Sequence, residues 1–112
     1  MVKKQYIPER GDIIWLNFTP QAGHEQAGKR PAIVISPSSY NSKTGLMIAC
    51  PITSKIKNYP FEVPVIGRKI SGVVLSDQVK NLDWRVREAA FIEKATETAF
   101  SEVQEKLALL IK

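Results

Sequence analysis

The chain has 112 residues, a length that predicts one domain spanning 1–112. Its composition, 44% hydrophobic and 24% charged, is typical of a soluble globular protein. The single cysteine, Cys50, excludes an intrachain disulfide, fits a cytoplasmic protein and lies in an apolar run that predicts a buried thiol. Charged residues interrupt the early apolar windows, so we expect neither a signal peptide nor a membrane span.

The positive charge is concentrated in one half of the chain. Residues 1–60 carry eight Lys or Arg and three acidic residues, whereas residues 61–112 carry eight of each sign. The whole net charge of +5 therefore belongs to the first half. This distribution favours a polyanionic partner, either a nucleic acid or an acidic protein.

Short strands dominate the predicted secondary structure. Six segments have β-branched and aromatic residues bounded by turn signals: 12–18, 31–36, 46–52, 61–66, 73–75 and 84–92. Polar loops separate some of them at 19–29 and 53–59, and residues 38–44 predict a turn or one short helical piece.

The C-terminal segment changes to a helical period. Apolar side chains recur on one helical face at Phe100, Val103, Leu107, Leu110 and Ile111, and Thr96 is placed as the N-cap. That face predicts a contact with the core or with a second subunit. Six short strands and one terminal helix indicate a mainly β fold, a compact barrel closed or capped by the helix.

Two loops carry chemically versatile side chains. The first places His24, Glu25, Lys29 and Arg30 just before Pro31, which favours an extended Arg30 at the mouth of the next strand. In the second, Thr53, Ser54 and Lys55 end an apolar strand. Each has a plainer interpretation, a solvated hairpin loop for the first and a strand-ending turn with bonded hydroxyls for the second.

The common catalytic layouts are missing from the sequence. It has no glycine-rich phosphate loop, no paired Cys or His ligands and no cluster of carboxylates, and one histidine cannot supply a His pair. We therefore expect no metal ion and no cofactor.

Four separated blocks resemble the signature blocks of the MazF/PemK/Kid toxin family, in the same order and spacing. They are residues 11–18, 23–31, 51–54 and 72–78, and the likeness extends from about Tyr6 to Ile111. Residues 25–28, 59–63 and 77–80 are most similar to the MazF branch of enteric bacteria, whereas His24 resembles the Kid branch.

The resemblance implies an SH3-like β-barrel with a C-terminal α-helix, assembled as a homodimer. It implies cleavage of single-stranded mRNA to a 2′,3′-cyclic phosphate and a 5′-hydroxyl, and inhibition by a MazE-like antitoxin with an acidic tail. Arg30 and Thr53 match the family's two principal catalytic positions, and Asp77 matches a general base of the Kid branch. In that branch an arginine two residues before the aspartate acts as the general acid. This chain has Leu75 at that position, so a Kid-type acid–base pair is not expected.

Physical chemistry supports these assignments. Attack by a 2′-oxygen builds charge on the phosphoryl oxygens, which the Arg30 fork and the Thr53 hydroxyl can stabilise. Glu25 or Asp77 can take the 2′-proton, and His24 can protonate the leaving oxygen. The predicted RNA-binding residues are Lys29, Ser54, Lys55, Lys57, Gln78, Lys80, Arg85 and Arg87.

Other interpretations stay open at this point. Gyrase poisons of the CcdB type resemble this fold but are not nucleases. They depend on a C-terminal Trp-Gly-Ile, whereas residues 109–112 of this chain are Leu-Leu-Ile-Lys. A plain RNA-binding module is the third candidate. Trp15 and Phe18 are assigned to the core, and Trp84 fits either the core or a base-stacking site.

Overall fold

The computed structural model describes residues 5–18 and 28–111. Within these ranges the chain forms seven strands and two helices. In chain order they are β1 (Asp12–Phe18), β2 (Gly28–Val34), α1 (Ser38–Thr44), β3 (Leu46–Thr53), β4 (Glu62–Ile66), β5 (Ser71–Leu75), β6 (Lys80–Asp83), β7 (Ala90–Lys94) and α2 (Glu97–Ile111). The predicted mainly β class with a C-terminal helix is confirmed.

The strands form one curled antiparallel sheet, a half-barrel. The order is β4-β5-β3-β2-β1-β7, and β6 pairs with β3 beside this path. Strand β3 pairs with β2 through Ala49, Cys50 and Pro51, with β6 over 46–49 and with β5 through Ile52 and Thr53. One central strand therefore joins the two parts of the sheet.

The predicted strand at 84–92 is wrong. Strand β6 ends at Asp83, whose Oδ1 accepts the backbone N–H groups of Arg85 and Val86 at 3.0 and 2.9 Å. The backbone then turns through Glu88, which has a φ of 52°, before β7 begins at Ala90. A local side-chain-to-backbone turn thus divides what the apolar content suggested was one strand.

Both faces of the sheet are covered. One cluster lies under α2 and includes Ile13, Ile33, Ile52 and Val103. The other contains Ile14, Leu16, Ala32, Val34, Met47, Ala49 and Trp84. Because side chains alternate along a strand, neighbouring residues such as Ile13 and Ile14 enter opposite cores.

The assignment of the two tryptophans is settled by their packing. Trp84 is only 2% exposed, and its Nε1 donates to the carbonyl oxygen of Asn41 at 2.9 Å. A side chain so enclosed cannot stack on a base, so the base-stacking alternative for Trp84 is wrong. Trp15 is partly buried and packs against the first cluster.

Helix α2 begins as predicted. Thr96 Oγ1 accepts the backbone N–H of Ala99 at 3.1 Å, as an N-cap does. Val103 and Leu107 are buried, whereas Leu110 and Ile111 are 49% and 73% exposed in the single chain. Over the described ranges, neither helix has the length and apolarity that crossing a membrane requires.

A buried polar network attaches α1 to the sheet. Asn41 is fully buried, and its Nδ2 donates to the carbonyl oxygens of Pro8 at 2.7 Å and Ser36 at 3.1 Å. Its Oδ1 accepts the Ser36 hydroxyl at 2.6 Å. That hydroxyl in turn accepts the backbone N–H of Ile48 in β3 at 2.8 Å.

We expect Asn41→Ala to lower the free energy of unfolding by about 2–4 kcal/mol, because it leaves several buried polar groups without partners. Urea unfolding measures this loss. Ser39→Ala, an exposed position of the same helix, is the control and should change the value by less than about 0.5 kcal/mol. Equal effects of the two substitutions would contradict the network's role.

Candidate functional site

The start of β2 and the end of β3 bring Arg30 and Thr53 to the same region. The pairing of these strands runs from Val34 opposite Ala49 to Ala32 opposite Pro51, and Arg30 and Thr53 each lie two residues beyond its last pair. Arg30 also pairs with Leu16 of β1, and Thr53 with Val73 of β5. Arg30 and Thr53 line the walls of the same two clefts, so they share one small region of the surface.

Both side chains line a cleft of about 410 Å³, which we call the central cleft. Its wall consists of Lys29, Arg30, Pro31, Ile52, Thr53, Ser54, Ile70 and Ser71. Two cations and three hydroxyls therefore surround it, and among the residues that the structure describes no carboxylate belongs to its wall. This composition suits a phosphate group.

The Thr53 side chain is held in a defined orientation. Its Oγ1 accepts the backbone N–H of Lys55 at 3.1 Å, which leaves the hydroxyl hydrogen to donate elsewhere. Behind it, β5 approaches closely: a Cβ added at Gly72 would lie 2.4 Å from the Thr53 carbonyl oxygen. The strand-ending turn and a donor role are therefore compatible.

Two further clefts adjoin the central cleft. One of about 290 Å³ is lined by Thr53, Lys55, Lys57, Tyr59, Glu62, Leu75 and Gln78. The other, of about 210 Å³, shares Arg30 and Thr53 with the central cleft and extends to Gln78 and Lys80. We call the three together the groove. Six of the predicted RNA-binding residues line it: Lys29, Ser54, Lys55, Lys57, Gln78 and Lys80.

The loop between β3 and β4 is organised by Glu62. Its carboxylate accepts the backbone N–H groups of Lys57 at 3.0 Å and Asn58 at 2.9 Å. Asn58 has a left-handed φ of 62°, which asparagine tolerates better than most residues. The buried acid thereby holds the lysines of this loop beside Thr53.

Tyr59 and Asp77 join the two loops that border the groove. The Tyr59 hydroxyl donates to Asp77 Oδ1 at 2.6 Å. This hydrogen bond, with desolvation and the charges of Asp77 and Glu62, raises the pKa of Tyr59 to about 12. Sequence reasoning did not select Tyr59, and its only signal was its place in a block of the resemblance.

Four further predicted residues are not among the groove residues that the structure describes. His24 and Glu25 fall outside the described residues. Arg85 stacks over the Trp84 ring at 4.9 Å, near the start of β3, and Arg87 lies in the same turn, its carbonyl bonded to the Asn17 N–H. Neither arginine lines the groove.

The remaining ionisable groups of interest are structural. Burial, together with the charge of Asp77, raises the pKa of the Cys50 thiol to about 12, so Cys50 is the inert buried thiol that its neighbours predicted. In residues 5–18 and 28–111, no three His, Cys, Asp or Glu side chains are close enough to hold one metal ion.

The fold is a half-barrel whose strand ends place an arginine and a threonine in a cationic groove. These features define a small β protein suited to bind a phosphodiester. The family model for PemK-like, MazF-like toxins of type II toxin–antitoxin systems matches residues 9–111, and the chain belongs to that family.

Individual relatives agree with this membership. The chain is 52% identical over 85 residues to the endoribonuclease toxin MazF of Escherichia coli strain K12, which covers 76% of this chain and 77% of that protein. It is 30% identical to the endoribonuclease PemK of Escherichia coli over 99% of this chain and 87% of that one. A MazE–MazF crystal structure from Deinococcus radiodurans matches with a TM-score of 0.91 and 53% identity, covering 96% of this chain and 97% of that chain.

We expect Tyr59→Phe to change how stability depends on alkaline pH. The folded-state pKa of Tyr59, about 12, lies above the ordinary 10.0, so the folded protein binds this proton more tightly than the unfolded chain. The contribution of this hydrogen bond to the free energy of unfolding is therefore complete below pH 10 and is lost as pH rises towards 12. Urea unfolding of both proteins at several pH values should show their difference shrinking over this interval, and a constant difference would contradict the assignment.

Proposed function

We propose that this chain cleaves single-stranded mRNA at specific short sequences, by attack of a 2′-oxygen on its own phosphate and without a metal ion. Through its family, the chain is an endoribonuclease toxin of a type II toxin–antitoxin system. The proposal adds the reaction, its products and the residues that perform it. RNA as the substrate also implies action in the cytoplasm.

The observation that carries the proposal is that Arg30 and Thr53 line the central cleft together, and the adjoining cleft as well. In the proposed reaction, a base takes the 2′-proton while the 2′-oxygen forms a bond to phosphorus. The bond from phosphorus to the 5′-oxygen breaks, and that oxygen takes a proton. The products are a 2′,3′-cyclic phosphate and a 5′-hydroxyl. Charge grows on the phosphoryl oxygens throughout, where the guanidinium fork and the hydroxyl donate.

Proton transfer is assigned to the residues around this pair. Glu25 and Asp77 are the candidate bases, and His24 is the candidate acid because its ordinary pKa lies nearest neutrality. Asp77 already accepts a hydrogen bond from Tyr59, which fixes its carboxylate at the border of the groove. Leu75, where the Kid branch has an arginine, lines the groove but can transfer no proton.

Substrate binding is assigned to the cations of the groove. Lys29, Lys55, Lys57 and Lys80 lie on successive parts of its wall and suit the phosphates of an extended strand. Gln78 offers both a donor and an acceptor to a base edge. Duplex RNA should be resistant, because attack requires the 2′-oxygen to lie in line with the leaving oxygen, which A-form pairing prevents.

The test is cleavage of a long single-stranded RNA in excess chelator, with the ends of the products mapped. We expect the wild-type protein to cut and to leave cyclic phosphate and 5′-hydroxyl ends. Arg30→Ala and Thr53→Ala should each lower the rate by about 10²–10³-fold, as the loss of one preorganised donor does. Arg30→Lys should recover little, since a point charge does not reproduce the fork.

Lys43→Ala is the matched control, because Lys43 is an exposed cation in the last turn of α1. It should cut at the wild-type rate. Activity that chelator abolishes and magnesium restores would overturn the mechanism. Near wild-type turnover by Arg30→Ala would overturn the site.

The proposed assembly is a homodimer neutralised by an acidic antitoxin tail. Three apolar side chains near the end of α2, Leu109, Leu110 and Ile111, are 49–73% exposed in the single chain and suit a subunit contact. The solved relative from Deinococcus radiodurans is a MazE–MazF complex. A carboxylate-rich tail lying over the loops at 19–30 and 53–59 would meet the cations that we assign to RNA.

We therefore expect RNA and the antitoxin tail to compete. An acidic antitoxin peptide titrated into the complex with uncleavable RNA should release the RNA, and the association should slow as salt rises. Simultaneous binding with no loss of affinity would exclude a shared site. In that case inhibition would have to act through the subunit interface.

A further inference from the structure

The turn at 67–70, between β4 and β5, borders the central cleft. Ile70 and Ser71, the last residue of the turn and the first of β5, belong to the wall of that cleft together with Thr53. Arg68 and Lys69 occupy the tip of the turn, and both are exposed. Two adjacent cations therefore directly precede residues of the cleft wall, on a segment that the sequence analysis did not select.

Glu93 of β7 holds this turn in place. Its carboxylate accepts three successive backbone N–H groups, from Arg68 at 3.0 Å, Lys69 at 3.1 Å and Ile70 at 3.0 Å. The fit depends on Gly67, because a Cβ there would lie 2.3 Å from Glu93 Oε2. Desolvation acts to raise the pKa of Glu93, but the three donors outweigh it and lower the pKa, so the acid stays charged.

We propose that the 67–70 turn is a second RNA-binding arm, in which Arg68 and Lys69 contact phosphates of the strand as it leaves the central cleft. This inference rests on the proposed function. RNA is favoured over the antitoxin tail because the arm is continuous with the wall around Arg30 and Thr53, where the scissile phosphate is placed. A fixed backbone also lowers the entropy lost when the side chains bind.

The negative charge of Glu93 does not cancel the positive charge of the arm. Its two oxygens are engaged by backbone N–H groups, and the two cations outnumber it. We therefore assign Glu93 as a positioning residue, which acts on RNA through the turn and does not contact it.

The experiment compares a short and a long RNA on the full-length protein. Both are single-stranded oligonucleotides centred on the cleavage site mapped in the chelator experiment, with 2′-deoxyribose at the cleaved nucleotide. The short one has two nucleotides on each side of the scissile bond, and the long one about six. Affinity is measured by fluorescence anisotropy over a series of salt concentrations.

We expect the double substitution Arg68→Ala with Lys69→Ala to weaken binding of the long RNA by about tenfold at low salt, and to reduce the salt slope by about 1.4, two phosphates at about 0.7 each. The short RNA should bind within twofold of wild type, and the single-turnover cleavage rate of its all-ribose version should be unchanged. The matched control is Arg10→Ala with Lys43→Ala. It removes the same charge at two exposed positions that line none of the three clefts, and Arg10 Nε donates to the Ile35 carbonyl just after β2 ends.

Glu93→Gln separates positioning from simple electrostatics. Removing a negative charge beside two cations should tighten RNA binding if charge alone matters. If Glu93 positions the arm, the substitution should instead weaken the long RNA about threefold and speed hydrogen exchange at the amides of Arg68, Lys69 and Ile70. Tighter binding by Glu93→Gln would refute its positioning role.

Several outcomes would overturn the arm while leaving the proposed function intact. These are wild-type binding of the long RNA by the double variant, equal weakening of both RNAs, or an equal loss in the control pair. Weakened binding of an acidic antitoxin peptide without any change for RNA would assign the turn to the antitoxin instead. If the wild-type protein neither binds nor cuts RNA, the proposed function fails, and the arm fails with it.

Discussion

Hydrogen bonding along both edges of β3 is the constraint on which the rest of the structure depends. This strand pairs with β2 on one edge and with β6 and then β5 on the other. At its last residue, Thr53, the strand is still paired with β5, although its pairing with β2 has ended at Pro51. The register that buries Cys50 and Ile52 also directs Thr53 to the cleft that Arg30 lines, and a one-residue slip would move each of these β3 side chains to the other face.

Three acidic side chains in the second half of the chain bind backbone N–H groups of loops and turns. Glu62 and Glu93 each accept two or three backbone N–H groups, and Asp83 Oδ1 accepts two. Such carboxylates fix loops without lining the central cleft. The balanced charge of residues 61–112 therefore conceals an arrangement in which acids anchor turns and cations such as Lys80 face the groove.

The sequence predicted most elements because their signals are local. Runs of β-branched residues predicted β1, β3 and β4, and the Thr96 N-cap predicted the start of α2. The prediction of one strand over 84–92 was wrong because the turn after Asp83 is formed by side-chain hydrogen bonds, which hydrophobicity does not reveal. Side-chain chemistry selected the loops of Arg30 and Thr53 separately. That the two residues share a cleft depends on how distant segments pack, which periodicity does not contain, so their joint catalytic role came from the family resemblance. Tyr59 was missed for the same reason, since its partner Asp77 is 18 residues away.

The cations of the groove repel one another, and a bound polyanion would relieve this repulsion. Lys29 and Arg30 are neighbours at the start of β2, and Lys55, Lys57 and Lys80 face adjoining parts of the same surface. Each close pair of like charges costs about 1 kcal/mol or less in water and more where the wall excludes solvent. The strand ends tolerate this because the buried residues behind them fix the backbone. Any extended polyanion gains by neutralising the set, which is why we place the proposed substrate and the proposed inhibitor, although chemically unrelated, on one surface.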